Sequence, residues 1–182
     1  MTLAHTLGTL VSAACILAST ATFASEPLFP AVTGYGGIHP LAIAAEQPDK
    51  KLRYKVVFSI TREAPDAGKP NPGLEKVARM LNLLAHNGIK PKQGDVVAIV
   101  HGPATALILS DAHYEKKYHT VNPNLALIAQ LKTAGAEVHV CHEAMYAMNI
   151  EPVDIDPDVQ IDVSALTTLA TLQLRGYALI PD

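Results

Sequence analysis

The stretch "AEVHVC" ends in Cys141, and His142 follows it directly. His139 stands two residues before the cysteine, so on an extended strand its imidazole and the thiol share a face. A thiol placed where a strand gives way to a helix meets the unpaired N–H groups of the first helical turn, which carry partial positive charge. Such a setting favours the thiolate, the reacting form of cysteine in nucleophilic and sulfur-transfer chemistry. His142, and His101 in the distant stretch "VHGPA", are the candidates to hold a proton or pair with that thiolate. Glu143 works the other way, because a nearby carboxylate disfavours the anion.

The same residues allow two other readings. Cys141 with His139, His142 or His101 offers imidazole and thiolate donors that suit copper or zinc, with His113 and His119 on a separate segment. Their spacing is not that of a recognised zinc site. Free cysteine is also among the most buried residue types, so Cys141 could be packing in a non-catalytic oligomeric binding module. All three readings stand open on the residues alone. Several chemistries are excluded by missing motifs. The chain has no Cys-x-x-Cys, no Gly-x-Ser-x-Gly elbow, and no glycine fingerprint for nucleotide phosphates. Asp154, Asp156 and Asp158 alternate, but prolines interrupt them and the glycine and terminal glutamate of a calcium loop are absent.

These side chains must be positioned by the elements around them. "YKVVFSI" and "DVVAIV" are compact, β-branched runs that read as buried strands, and "AEVHV" is a third. "NPGLEKVARMLNLLAHNG" reads as a helix with Asn71 as cap, Pro72 opening it, Gly88 closing it, and Leu74, Val77, Leu81 and Leu84 on one face. Ala104 to His113 reads as a short helix. Asn122-Pro123 repeats the opening signal for a helix closed by Gly135. Residues 142–148 read as helical, and 149–158 as an acidic, proline-broken turn. "DVSALTTLATLQLRG" reads as a helix with Leu166, Leu169 and Leu172 on one face, and "YALIP" as a final strand. Strands alternating with amphipathic helices predict an α/β domain, a mostly parallel sheet of about five strands covered on both faces. The carboxyl ends of parallel strands share one edge, where ligands bind. That edge gathers Thr61 and Arg62, His101 and Gly102, and Cys141 and His142 from three distant stretches.

A chain of 182 residues at 49% hydrophobic content has material for one well-packed domain. A net charge of −3 with no basic run argues against nucleic acid, and no apolar stretch beyond the N-terminus is long enough to span a bilayer. Residues 1–24 contain no Asp, Glu, Lys or Arg, and "TFA" closes them with small residues at the positions a signal peptidase reads. A cleaved signal peptide and a periplasmic protein are the expectation. Cleavage would remove Cys15 and leave Cys141 as the mature chain's one cysteine. Residues 25–51 form a Pro/Gly-rich arm with apolar side chains that can pack on the domain or a neighbour; residues 52–182 form the domain.

From "KLRYKVVFSIT" to the C-terminus the sequence resembles the DsrE/DsrF-like family, in its exported, uncharacterised branch. "YKVVFSIT", "VVAIVHGPA", "AGAEVHVC" and "VSALTTLATLQLRGYALIP" carry the likeness. The resemblance implies a three-layer α/β/α sandwich that assembles into homo-oligomers, trimers or hexamers, with no metal or organic cofactor. It also implies a part in sulfur relay, as in sulfur oxidation or tRNA thiolation. There a cysteine at this strand-to-helix position takes sulfane sulfur as a persulfide from a donor protein or small thiol and passes it to an acceptor. That role carries over to Cys141. The sequence departs from the pattern after the cysteine, where exported relatives have Gly-Gln and this chain has His142-Glu143.

Overall fold

The computed structural model describes residues 26–182. The expected signal peptide, with Cys15, lies outside the described residues. Five parallel strands form one sheet in the order β4-β3-β2-β1-β5. They are β1 (Val56–Ile60), β2 (Val96–Val100), β3 (Ala136–Cys141), β4 (Val159–Asp162) and β5 (Ala178–Pro181). The helices are α1 (Pro72–His86), α2 (Asp111–Tyr118), α3 (Leu125–Thr133), α4 (His142–Ala147) and α5 (Ala165–Leu174).

The layering follows from the strand order. From β1 through β4 the chain steps steadily toward one edge, then returns across the sheet to place β5 beside β1. Right-handed crossovers in opposite directions put their helices on opposite faces. So α1 and α3 cover one face, where Leu74, Val77, Leu81, Leu127 and Leu131 meet Val56, Phe58, Ala98 and Val138. On the other face α5 packs Ala165, Leu169 and Leu172 against Val57, Val97, Ile99 and Cys141. The expected three-layer sandwich is thus present.

Helix α1 starts and stops as the sequence predicts. Asn71 accepts a hydrogen bond from the Gly73 amide at 2.8 Å, Pro72 opens the first turn, and Gly88 leaves it at φ +71°. All four leucine and valine positions of its predicted face are buried. Other boundaries differ. The segment after β2 is a 3-10 turn over Gly102–Ile108 followed by α2, because an exposed Pro103 opens the turn and the run Ala104–Ile108 behind it tucks into the core. Asn122 is buried and does more than cap. Its side-chain oxygen accepts from the Asn124 amide at 2.9 Å, the same i to i+2 bond that Asn71 makes, while its amide nitrogen donates to the Leu107 and Leu109 carbonyls; α3 itself begins at Leu125. The strand β4 begins at Val159, just after the stretch 149–158 that reads as an acidic turn, and ends at Asp162, where the sequence reads as the start of the last helix.

The arm is docked from Leu28 to Ile38. These two residues pair as an antiparallel bridge, and Val32 joins the main core. Asn82, fully buried in α1, accepts from the Ala31 and Val32 amides at 2.8 and 2.9 Å. Its amide nitrogen donates to the Tyr35 and Gly36 carbonyls at 2.9 and 3.1 Å. Gly36 lies so close to α1 that a Cβ there would fall 2.2 Å from the Arg79 backbone nitrogen.

Helix α5 has ten residues, about 15 Å of length. One helix of that size cannot cover a five-stranded face. Leu166 and Leu174 are 82% and 90% exposed, and Val163 and Leu179 are exposed beside them. The sequence pattern placed Leu166 with Leu169 and Leu172, but steps of three drift by 60° each on an α-helix. The inward stripe is Ala165, Thr168, Leu169 and Leu172 instead, and Leu166 turns outward.

Candidate functional site

The carboxyl edge of the sheet collects the residues that topology places there. Val100 pairs with Val140, the last match between β2 and β3. One step further, His101 stays extended (φ −156°, ψ 175°), and its amide donates to the Ile60 carbonyl at 3.0 Å. His101 and Cys141 are therefore level on neighbouring strands and, by the alternation of side chains, on the α5 face. Cys141 is 5% exposed and ends the apolar cluster on this face, with Ile99, Ala144 and Ala165 among its members. It occupies the cap position of α4 (φ −75°, ψ 117°) without a side-chain capping bond. His142 and Glu143, in the first turn of α4, are exposed.

The His101 ring nitrogen Nε2 lies 2.9 Å from Ser59 Oγ. Ser59 is on β1, on the far side of β2 from Cys141. The imidazole is thus tied toward β1, and Ser59 is a site residue the sequence reading missed. Its signal was a lone hydroxyl inside the buried run "VVFSI". Burial pushes the His101 imidazole below its ordinary value, and the Asp182 carboxylate pulls only partly back. Asp182 itself accepts from the Thr61 and Arg62 amides at 2.7 and 2.8 Å, closing the edge beside β1.

His139 is built into a polar cluster. Nδ1 lies 3.0 Å from both Asp162 carboxylate oxygens, and Nε2 lies 3.3 Å from Glu137 Oε2. An imidazole facing carboxylates with both nitrogens can satisfy both only as the cation, since the neutral ring has one N–H. Burial pushes His139 down, but Asp162 and then Glu137 outweigh it and hold its value raised. Burial pushes Asp162 up, but hydrogen bonds from His139 and Thr168 and the His139 charge bring it below the usual carboxylate value. Thr168 Oγ1 donates to Asp162 Oδ2 at 2.8 Å. A cleft of about 270 Å³ runs alongside, lined by His139, Asp162, Thr168, Thr171 and Arg175 among others. Among the described residues no group of three or more His, Cys, Asp and Glu could hold a metal ion.

These shifts set two limits on stability. The raised His139 contributes fully below its unfolded value of about 6.5, and the contribution is lost as pH rises through its folded value. The depressed Asp162 contributes above its unfolded value of about 3.9, and that is lost as pH falls through its folded value. Urea unfolding across pH should show a decline that begins above about pH 6.5 and disappears in His139→Gln. An alkaline limb unchanged by the substitution contradicts the charge assignment.

The family model of the DsrE/DsrF-like family matches residues 55–181. The chain belongs to the DsrE/DsrF-like family. The matched span holds all five strands, and with them Ser59, His101, His139, Cys141 and Asp162. A solved structure of a protein of unknown function from Methanobacterium thermoautotrophicum is similar at 17% identity and a TM-score of 0.51. The match covers 71% of this chain and 99% of that one. At that identity the likeness speaks for the fold alone. No curated protein matches the chain. Family membership thus supports a sulfur-relay type of function, and the donors, acceptors and roles of single residues belong to the reading below.

Proposed function

We propose that this chain is a periplasmic sulfur-handling protein in which Cys141 carries sulfane sulfur as a persulfide. The observation that carries the reading is the position of Cys141. It ends β3 on the sheet edge where ligands bind in parallel α/β folds, in a chain of the DsrE/DsrF-like family. The Cys141 thiolate attacks the outer sulfur of a donor persulfide, R–S–SH. The donor S–S bond breaks, the donor leaves as the thiolate R–S⁻, and Cys141 holds –S–SH. A second thiolate attacks that outer sulfur in turn and regenerates the Cys141 thiolate. Each step is an exchange in which no electrons are lost or gained overall. His101, level with Cys141 on the neighbouring strand, and His142, the residue after it, are the groups to exchange its proton, His101 by letting go of Ser59. The test is incubation with a sulfane-sulfur donor and intact-mass measurement. A gain of one sulfur atom is expected, and no gain overturns the reading.

The partners are a donor and an acceptor thiol, protein or small molecule, and a second copy of this chain. The bare outer face of α5, with Leu166, Leu174 and Val163, supports a homo-oligomer through that side. Leu166→Glu with Leu174→Glu should lower the mass found by light scattering from an assembly to a single chain. A wild-type protein that is already a monomer at micromolar concentration contradicts it.

The low exposure of Cys141 favours a second reading, an assembly module in which the thiol is only packing. Native Cys141 that labels only at the rate of global unfolding would establish it.

A further inference from the structure

We infer that α5 is a cover over Cys141 and that Asp162 is the latch that holds it, gripped by Thr168 from the helix and by His139 from the sheet. The inference rests on the reading of Cys141 as the reacting thiol and assigns how access to it is controlled.

A donor sulfur must touch the Cys141 sulfur, yet the residue is 5% exposed. On the sheet side its near neighbour in the same apolar cluster is Ile99, on the central strand β2, which is hydrogen-bonded on both edges. That wall is fixed. The lid is α5, whose first turn sets Ala165 on the thiol with Leu169 behind it. The helix itself is lightly held. Its outer side is bare, and Ala165 is its one fully buried residue. Elements with few buried contacts open locally at a free-energy cost below that of global unfolding.

The polar tie that resists opening is specific. Among the described residues, Thr168 is the α5 side chain that hydrogen-bonds to a strand, donating to Asp162 at 2.8 Å. Asp162 is the register partner of Cys141 across β3 and β4, so the latch closes on the row that holds the thiol. His139 fixes the carboxylate from below at 3.0 Å to each oxygen, and Glu137 holds the far side of the imidazole. The cleft of about 270 Å³ beside Thr168 and Asp162 gives a reactant a place to stand as the helix lifts. Thr168, Asp162 and His139 are positioning residues. None of them touches the sulfur that is transferred.

The experiment is native-state labelling of Cys141 by a disulfide reagent, 5,5′-dithiobis(2-nitrobenzoate), followed by intact mass, with urea unfolding measured in parallel. Thr168→Val removes the donor at nearly constant shape, and Thr168→Ser keeps it. Thr168→Val should label about tenfold faster, the weight of one hydrogen bond to a carboxylate, with a much smaller change expected from global unfolding. Thr168→Ser should label like wild type. Labelling of Thr168→Val at the wild-type rate overturns the latch, as does an acceleration fully explained by lost global stability. If Thr168→Val does not fold, Asp162→Ala in the same assay must accelerate labelling or the latch fails. Labelling needs no sulfane sulfur, so the latch and the carrier reading fail separately. A thiol that opens as described but gains no sulfur from a donor sinks only the reading of the previous section.

Discussion

Cys141→Ala is expected to abolish sulfur uptake altogether while leaving the fold intact. A persulfide needs a sulfur nucleophile, and among the described residues Cys141 is the free cysteine. His101, level with it, and Ser59, two residues lower on β1, offer nitrogen and oxygen, which do not form a stable sulfane adduct under these conditions. The loss should therefore be complete rather than a reduced rate. The structural cost is small. The side chain sits in an apolar cluster with Ile99 and Ala165, so removing one sulfur atom leaves a minor void worth about 1 kcal/mol. Alanine is the better replacement than serine, which would put an unpaired hydroxyl into that setting. Intact mass after donor treatment checks the loss, and the unfolding midpoint checks the fold. A sulfur gain that survives in Cys141→Ala contradicts the assignment.

Asn82→Leu is expected to have the largest effect on stability, about 2–4 kcal/mol, and to free the arm. The amide of Asn82 serves two backbone N–H groups with its oxygen and the Tyr35 and Gly36 carbonyls with its nitrogen. Leucine of similar size fills the space and leaves those backbone groups buried without partners, each costing about 1–3 kcal/mol. The chain can limit the loss by lifting residues 26–38 into water, which exposes Val32 and Ile38, both now buried. Either outcome lowers the urea midpoint, and lifting also opens the segment to protease. A shift under about 1 kcal/mol with an arm that resists cleavage contradicts this account of docking.

The central elements were legible because their signals were redundant. The runs around Val56–Ile60 and Val96–Val100 are too β-branched and too short for helices, and α1 carried a cap, an opening proline, an apolar stripe and a closing glycine. With those in place, parallel topology alone brought His101 level with Cys141. The edges were not legible. The strand β4 has four residues, two of them exposed, and it is squeezed between the turn at 149–158 and the last helix, so no strand pattern stands out. Missing β4 hid Asp162, and with it the partner that explains His139. Seen without Asp162, His139 looked like a metal donor on the thiol's face, whereas both of its nitrogens face carboxylates. The phase of α5 was misread because leucines fall on its bare side as well as on its packed side. A helix that is apolar all round gives no periodic signal to say which face meets the sheet. The local bond of Asn122 to the Asn124 amide follows its polar signal, but its other partners are carbonyls thirteen and fifteen residues earlier, which local capping rules do not see.

The most direct test of the central claim is a two-stage mass measurement with an isotopically labelled sulfane-sulfur donor. The protein is loaded, freed of donor, digested and mapped, then a second loaded sample is exposed to an acceptor thiol. The account predicts one labelled sulfur on the peptide that contains Cys141, and its loss to the acceptor with return of the free thiol. Label absent from that peptide, or label that stays on it in the presence of the acceptor, contradicts the carrier.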